Sequence, residues 1–192
     1  MASAAFEPMY HNVTLGAKPK ADAGCVCTTV SCPVSGENPL TEGGGHTKAV
    51  YTYAIHNGVP VVVSATATLT PQSLDAGSAT TSCTQAYSRT LQDDGKQDCD
   101  AGHILAHRLG GYGEEPINIF PQDPNINRGI YAQFEGQIYE CTKTTKTASL
   151  SWKFTYPSAS KTMPSKVVYS ATFDAGTCKS TPLSQTFTNV EQ

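Results

Sequence analysis

Two runs of β-branched and aromatic residues, joined by His56-Asn57-Gly58, constrain the fold of this chain most strongly. The first run, residues 47–55, alternates loosely between apolar and polar side chains, and the second covers residues 59–69. An Asn-Gly pair between such runs is the commonest signal for a tight β-hairpin. The pattern therefore predicts two antiparallel strands, with His56 as a solvated turn residue.

Two more alternating runs follow in the last part of the chain, at residues 148–156 and 166–173. Their period of two is typical of strands in an antiparallel sheet that has one buried face. Trp152 and Tyr169 within them are expected in the core or on the sheet face rather than as platforms for a ligand.

One helix is predicted before these strands. Asp123 can cap its N-terminus and Pro124 suits the first helical position, and the helix should continue to about Cys141. Four apolar residues recur at helical spacing and should face the core. They are Ile126, Ile130, Phe134 and Ile138. Residues 71–96 are polar and without periodicity, which favours a surface loop.

The length of 192 residues suits a single compact core. With 16 Gly and 12 Pro among them, short strands are favoured over long helices. We predict a single α+β domain built on a central antiparallel β-sheet. Residues 1–45 are expected to form an irregular cysteine-rich arm packed on the functional domain, residues 46–192. No apolar run approaches the ~20 residues that cross a bilayer, so no membrane partner is expected.

Seven cysteines are many for a chain of this length and favour an oxidising compartment. Asn12-Val13-Thr14 is a glycosylation sequon, which agrees with secretion. The first residues have neither a basic start nor an apolar core, so we expect any signal peptide to have been removed or never present. Secretion and disulfide stabilisation are the expectations.

The disulfide connectivity cannot be read from seven cysteines, because one thiol is left over and many pairings remain. We predict Cys83 with Cys99 and Cys141 with Cys178, and Cys25 and Cys32 are further disulfide candidates. Cys25, Cys27, Cys32 and His46 do not match a common zinc spacing. Disulfide pairing is therefore favoured over a zinc site.

The stretch that carries most information about function starts with an apolar run at residues 99–106, predicted to be a strand that ends at Gly110-Gly111. His103 lies inside this run, and Gly102 before it would let a substrate approach closely. Histidine suits the role of a general base because its ordinary pKa lies near working pH. Taken alone, an ordinary buried, hydrogen-bonded histidine is the commoner interpretation.

Asn127 and Glu135 are eight residues apart on the predicted helix, hence roughly 80° apart around its axis. They share one face. An amide oxygen is a hard neutral ligand, and Mg²⁺ held by one or two protein groups keeps several waters. A helix cap for Asn127 and a solvated acid for Glu135 are the default alternatives. Together with His103, these residues could supply the base and the cation that phosphodiester hydrolysis requires.

Positive side chains near these residues are few. Arg108 and Arg128 are candidate phosphate-binding groups, and Arg89 could also reach a phosphate, although a solvated arginine is a common alternative for each. The net charge of −3 argues against a broad basic surface for nucleic acid. His103 and His107 as a zinc pair are disfavoured, because residues four apart in a strand lie far from each other.

The order and spacing of these residues resemble the DNA/RNA non-specific endonucleases of the His-Me finger (ββα-metal) superfamily. That family reads Asp-Gly-Gly-His-Leu-Ile-Ala, Phe-Gly-Gly, Asn-Leu-Val-Pro-Gln and Asn-x-Gly with a later Glu. The matching segments here are Asp100-Ala101-Gly102-His103-Ile104-Leu105-Ala106, Leu109-Gly110-Gly111, Asn118-Ile119-Phe120-Pro121-Gln122, Asn127-Arg128-Gly129 and Glu135.

The resemblance implies a ββα-metal core at about residues 99–141. It also implies that His103 is the general base, that Asn127 is the direct Mg²⁺ ligand, and that Glu135 holds a metal-bound water, with Mn²⁺ as a substitute ion. Asn118 and Gln122 would be structural or would orient the site. Some family members have arginine where this chain has Ala101, so phosphate binding would depend on Arg108, Arg128 or Arg89.

The expected function is a secreted, Mg²⁺-dependent endonuclease that cleaves DNA, and RNA as a further candidate, to give 5′ phosphates. A secreted binding module with a degenerate nuclease finger is the alternative from another class. A nuclease toxin delivered to competitors is a third. The preference between DNA and RNA and the oligomeric state stay open at this point.

Overall fold

The hairpin predicted around Asn57-Gly58 lies within a six-stranded antiparallel sheet. The computed structural model describes Cys27 and residues 32–189. Its strands are β1 (Gly36–Glu42), β2 (Thr47–His56), β3 (Val59–Leu69), β4 (Asp100–His103), β5 (Ile119–Gln122), β6 (Ala148–Thr155), β7 (Lys166–Phe173) and β8 (Leu183–Thr188). The large sheet has the order β1-β2-β3-β6-β7-β8, and β4 pairs with β5 in a separate antiparallel ribbon.

The turn of the hairpin has the geometry that its sequence indicates. Asn57 and Gly58 both have positive φ, 47° and 78°, as the two central residues of a type I′ turn require. The predicted strands at β6 and β7 are confirmed. β8 was not predicted, because the segment Leu183–Thr188 contains only one fully buried apolar side chain, Phe187.

One face of the large sheet forms the core. Along β6, Ala148, Leu150, Trp152 and Phe154 are buried, while the residues between them are exposed. The β4–β5 ribbon packs on this face through Phe120, whose ring centroid lies 5.1 Å from that of Phe154. The ribbon is thereby fixed against the sheet.

The predicted helix is present but has an interruption. It consists of α2 (Pro124–Ile126), a π-helical turn (Asn127–Tyr131) and α3 (Ala132–Thr142). Asp123 caps it as predicted, accepting from the N–H groups of Asn125 and Ile126. The prediction that Ile130 faces the core is wrong, since its side chain is 44% exposed. The wide π turn carries Ile130 outward and Tyr131 into the core.

Residues 71–96 contain a helix that was predicted to be loop, α1 (Ser82–Leu91). Thr81 and Thr84 form a capping box at its N-terminus. Its buried face combines Tyr87 and Leu91 with polar side chains, including Ser88, whose hydroxyl donates to the carbonyl of Asp100 at 3.0 Å. Because half of the buried face is polar, the sequence lacks an apolar period of 3.6.

The described part of the predicted arm is not irregular throughout. Gly36–Glu42 forms β1 and pairs with β2 along its whole length, so the sheet begins before residue 46. Residues 1–26 and 28–31, with Cys25 and the Asn12 sequon, lie outside the described residues. Among the helices of the described part, none has the length and apolar character needed to cross a bilayer.

Two disulfides are placed by the structure. Cys141 pairs with Cys178, which confirms that prediction and ties the end of α3 to the segment before β8. The prediction of Cys83 with Cys99 is wrong, because Cys83 on α1 pairs with Cys27. Cys99 is a buried free thiol, 2% exposed, beside the hydroxyl of Ser88. Cys32 is also disulfide-bonded.

Candidate active site

His103 and Asn127, distant in sequence, line the same cleft. This cleft has a volume of about 410 Å³ and lies between the N-terminal end of α1, the strand β4 and the π turn. We call it the β4 cleft. Its lining residues are Ala79, Thr80, Gln85, Asp100, Ala101, His103, His107, Asn127 and Arg128. The predicted base, metal ligand and one of the predicted phosphate-binding arginines are therefore brought together.

The strand β4 is held on both edges. On one edge it pairs with β5, where Gly102 lies opposite Phe120. On the other edge the side chain of Gln85 replaces a neighbouring strand, accepting from Ala101 N at 3.0 Å and donating to Cys99 O at 2.7 Å. A Cβ on Gly102 would collide with the side chain of Gln122, which gives this position a structural need for glycine beside the predicted close approach of a substrate.

The ring of His103 has a defined orientation. Its Nε2 lies 3.1 Å from the carbonyl oxygen of Ser78. A carbonyl only accepts, so we assign the proton to Nε2 and the lone pair to Nδ1. The pKa of His103 is lowered to about 4, chiefly by burial, with the bond to Ser78 opposing the shift and the proximity of His107 adding to it. At neutral pH the imidazole is uncharged and can accept a proton.

The carbonyl of Ser78 is itself fixed by the glycine-rich turn after β4. Ser78 N donates to Gly111 O at 3.0 Å, and Gly113 N donates to Ser78 O at 3.1 Å. A Cβ on Gly113 would collide with the backbone of Ala79. The two segments can approach this closely only with glycine there. Sequence reasoning missed Ser78, since no side-chain pattern marks a functional backbone carbonyl.

Asn127 and Arg128 both contact Asp100. Asn127 Nδ2 donates to Asp100 Oδ2 at 2.9 Å. Arg128 makes a bidentate pair with the same carboxylate, Nε to Oδ2 at 2.8 Å and Nη2 to Oδ1 at 2.6 Å. No donor in the described part of the chain reaches Asn127 Oδ1, which leaves an amide oxygen for a ligand at the cleft.

The comparisons with known proteins agree with this geometry. A family model described as DNA/RNA non-specific endonuclease matches residues 46–174. The chain belongs to this family. Its fold class is confirmed as α+β with a central antiparallel sheet, and the strands β4 and β5 are followed by the helix that starts at Pro124.

The chain is similar to the probable deoxyribonuclease RhsA of Dickeya dadantii (strain 3937), with 37% identity over 114 residues. The matched segment is 59% of this chain but only 8% of the relative. Among solved structures, the EndoG/EndoGI complex matches 91% of this chain and 82% of its own, with a TM-score of 0.51 and 15% identity. NucA from Streptococcus agalactiae with no metal bound matches 85% of each chain, with a TM-score of 0.50 and 13% identity. These two structures support the fold alone.

Three residues with predicted roles do not line the β4 cleft: Glu135, Arg108 and Arg89. Glu135 is buried between α3 and the sheet, and burial raises its pKa to about 8, which the nearby Arg108 partly opposes. The Arg108 guanidinium lies 4.6 Å from the centroid of the Tyr139 ring. Their roles as water-holding and phosphate-binding residues stay predictions. The exposed Arg89 on α1 also lies outside the lining residues.

Asn118 has the structural environment that a site-orienting residue needs. It is fully buried, its Oδ1 accepts from Leu105 N at 2.8 Å, and its Nδ2 donates to Leu105 O at 3.0 Å. The Tyr51 hydroxyl lies 3.0 Å from Asn118 Oδ1 and 2.6 Å from Oε2 of Glu42. Burial raises the pKa of Glu42 to about 7. This network ties the turn after β4 to β1 and β2, and sequence reasoning missed Glu42 because it lay in the predicted arm.

Proposed function

We propose that this chain is a non-specific endonuclease that hydrolyses phosphodiester bonds in the β4 cleft with the help of a divalent metal ion. The observation that carries the proposal is the convergence of His103 and Asn127 on one cleft. Membership of the DNA/RNA non-specific endonuclease family supports the reaction class. The name of the relative, a probable deoxyribonuclease, supports DNA as a substrate, and the family description extends the proposal to RNA.

His103 is proposed as the general base. The bond from Nε2 to Ser78 O presents Nδ1 as the basic atom, and burial keeps the ring neutral. Nδ1 takes a proton from water as the water attacks phosphorus in line with the departing 3′ oxygen. The product then carries a 5′ phosphate. The negative phosphate beside the ring would raise its basicity relative to the free enzyme.

Asn127 is proposed as the residue that holds the metal ion, with Mg²⁺ as the first candidate and Mn²⁺ as a substitute. Its amide oxygen is a hard neutral ligand of the kind that Mg²⁺ accepts. One water occupies about 30 Å³ in the liquid. The cleft volume of about 410 Å³ is many times larger, so an ion with several waters fits. When bound, the ion would neutralise charge on the phosphate and on the leaving oxygen.

Arg128 is proposed to bind the substrate phosphate. Of the arginines and lysines between residues 32 and 189, it alone lines the cleft. The position where some relatives have arginine, Ala101, is 5% exposed and packs with Tyr87 and Leu91 of α1. This packing supports a cationic group from another element, and the position of the Arg128 guanidinium at the cleft supports it as that group.

Secretion is proposed as well, and the two disulfides Cys27–Cys83 and Cys141–Cys178 support an oxidising compartment. Immunodetection of the full-length natural protein in culture medium, with a cytoplasmic marker retained in the cells, would support export. Recovery of the protein with the cytoplasmic marker would contradict it.

The test of the enzymatic proposal is cleavage of plasmid DNA and of RNA with Mg²⁺, with Mn²⁺ and with EDTA. We expect cleavage with either ion and none with EDTA. His103→Ala should lower the rate by about 10²- to 10⁴-fold, the usual contribution of a general base. His46→Ala, an exposed histidine outside the cleft, is the control and should keep wild-type activity. Full activity of His103→Ala would refute the proposed role, and absence of cleavage by the wild type would favour the binding module.

A further inference from the structure

A single carboxylate, that of Asp100 at the start of β4, receives three N–H donors from two consecutive residues of the π turn. Asn127 Nδ2 and Arg128 Nε both donate to Oδ2, and Arg128 Nη2 donates to Oδ1. The Asp100 side chain is 15% exposed, whereas that of Arg128 is 73% exposed. Packing therefore does little to hold Arg128, and the carboxylate does most of it.

The contact with Asp100 decides which end of the Asn127 amide is available. An amide has an accepting oxygen and a donating NH₂ group, and an ionised carboxylate only accepts. Asp100 can therefore pair with Nδ2 but not with Oδ1, so the oxygen is turned away from it. The opposite orientation would place two oxygens against each other and offer NH₂, which cannot bind a cation. The carboxylate thus selects the amide orientation that a metal ion requires.

The same carboxylate sets the position of Arg128. The bidentate pair uses two of the five N–H groups of the guanidinium. Three N–H groups remain for a phosphate oxygen at the cleft that Arg128 lines. Because the planar pair fixes the direction of the guanidinium, its remaining donors keep one orientation.

We propose that Asp100 is a positioning residue of the active site, which fixes the metal-binding end of Asn127 and the phosphate-binding end of Arg128 through one carboxylate. The proposal rests on the metal site and the phosphate-binding group proposed above. Asp100 is proposed to act through these neighbours, because three of the about four acceptor sites of its carboxylate are taken by Asn127 and Arg128.

The test is Asp100→Asn, which keeps the size of the side chain but removes the charge and one acceptor. Mn²⁺ binding is measured by isothermal titration calorimetry on the protein without substrate. We expect affinity to fall by about 10- to 100-fold, the usual effect of losing a residue that orients a metal ligand. Asp94→Asn, an exposed carboxylate outside the cleft, is the matched control and should leave affinity unchanged.

Arg128→Met separates positioning from a merely structural ion pair. It breaks the same ion pair but leaves Asp100 to hold Asn127, so Mn²⁺ affinity should stay within about twofold of the wild type while KM for DNA rises. Equal losses of affinity in Asp100→Asn and Arg128→Met would overturn the proposal, as would wild-type affinity in Asp100→Asn. Asn127→Ala distinguishes failure of the Asp100 proposal from failure of the proposed metal site. If Asn127→Ala binds Mn²⁺ like the wild type, the proposed metal site itself is wrong.

Asp100 links β4 to the π turn, so the folding of Asp100→Asn is measured separately. Circular dichroism gives its melting temperature beside that of Asp94→Asn. If Asp100→Asn is unfolded, Asp100→Glu takes its place: the longer side chain keeps the charge but displaces the acceptor oxygens. Reduced Mn²⁺ affinity in a folded Asp100→Glu supports positioning, and unchanged affinity overturns it.

Discussion

His103 Nε2 donates to the carbonyl oxygen of Ser78 across 3.1 Å. A backbone carbonyl does not titrate, so the neutral ring keeps this tautomer at every pH above its own pKa. Many catalytic histidines are oriented by a carboxylate, which raises their basicity. Here the partner is neutral, and burial lowers the pKa of His103 to about 4.

The acidic limb of the pH profile should reflect this environment. We expect kcat/KM of the free enzyme at saturating Mg²⁺ to be nearly constant from pH 6 to 8 and to fall tenfold per pH unit only well below pH 6. An ordinary histidine would give a limb near 6.5. Initial rates on a short fluorescent duplex between pH 4 and 8 measure this, and a limb centred above pH 6.5 would contradict the assignment of the neutral ring.

Glu135→Gln should stabilise the protein at alkaline pH. The folded pKa of Glu135 is about 8, against 4.5 for the ordinary group. Between these values the unfolded chain has released the proton that the folded chain keeps, so the free energy of unfolding falls as pH rises from 4.5 to 8. The loss is on the order of a few kcal/mol, and glutamine removes it. Urea denaturation of both proteins at pH 4.5 and pH 8 should show stabilities that are similar at the lower pH and higher for Glu135→Gln at the higher pH.

The comparison with the wild type is needed because two other groups change stability in this range. Glu42, with a pKa of about 7, acts in the same direction as Glu135. His103 acts in the opposite direction, since its depressed pKa makes stability rise with pH between 4 and 6.5. Both effects cancel in the difference. A Glu135→Gln protein that is less stable than the wild type at pH 8 would contradict the buried, protonated state of Glu135. The predicted water-holding role is tested separately, by the cleavage activity of the same variant.

Those parts of the fold that depend on neighbours in the sequence could be predicted. The positive φ values at Asn57 and Gly58 and the cap at Asp123 need only local geometry, and the burial of Trp152 follows from its place in an alternating strand. The parts that failed depend on distant contacts. Cys83 lies on α1, which brings it to Cys27. The helix α1 was not predicted, because its buried face includes the polar Ser88, whose hydroxyl group donates a hydrogen bond to β4.

The site shows the same division. The family pattern predicted His103, Asn127 and Arg128, which line the cleft, together with Glu135 and Arg108, which do not. The carbonyl of Ser78 could not be predicted, because any residue type can supply a carbonyl. Ile130 is the one exposed residue of the expected apolar face because it lies in the π turn. The π turn could not be predicted, because no residue type in this segment is specific for one.

Cys99 should react with thiol reagents only after unfolding. It is 2% exposed, and burial raises the pKa of its thiol, so little thiolate is present or reachable. We expect no reaction of the native protein with DTNB at pH 8 over a time in which the urea-unfolded protein reacts fully. The Cys99→Ser protein, unfolded in the same way without reductant, is the control for other thiols. Rapid labelling of Cys99 in the native protein would contradict its burial beside Ser88.

Cys27–Cys83 should contribute strongly to stability, because it closes a segment of 56 residues and anchors α1. The double variant Cys27→Ala with Cys83→Ala should lose about 2 to 5 kcal/mol of unfolding free energy. Chemical denaturation under non-reducing conditions measures the loss. A stability equal to the wild type would mean that this bridge is not formed in the folded protein.

Arginine at position 101, which the family resemblance made a candidate for phosphate binding, should not raise the cleavage activity proposed for this protein. Ala101 is 5% exposed and packs with Tyr87, Leu91 and Ile119, so a guanidinium there would overpack the cluster and bury a charge without a partner. Loss of several kcal/mol of stability is expected for Ala101→Arg, with no gain in kcat/KM. Differential scanning calorimetry and initial rates on plasmid DNA give the two readouts.

Ala79→Arg is the matched gain-of-charge variant, because Ala79 lines the same cleft but its side chain is exposed. The added cation can reach the phosphate backbone without displacing the core, so KM for DNA should fall several-fold at low salt and the gain should fade as salt is raised. The melting temperature should stay near that of the wild type. If Ala101→Arg instead kept its stability and raised kcat/KM, α1 would not pack over β4 as described, and the cationic role assigned to Arg128 would lose its main structural reason.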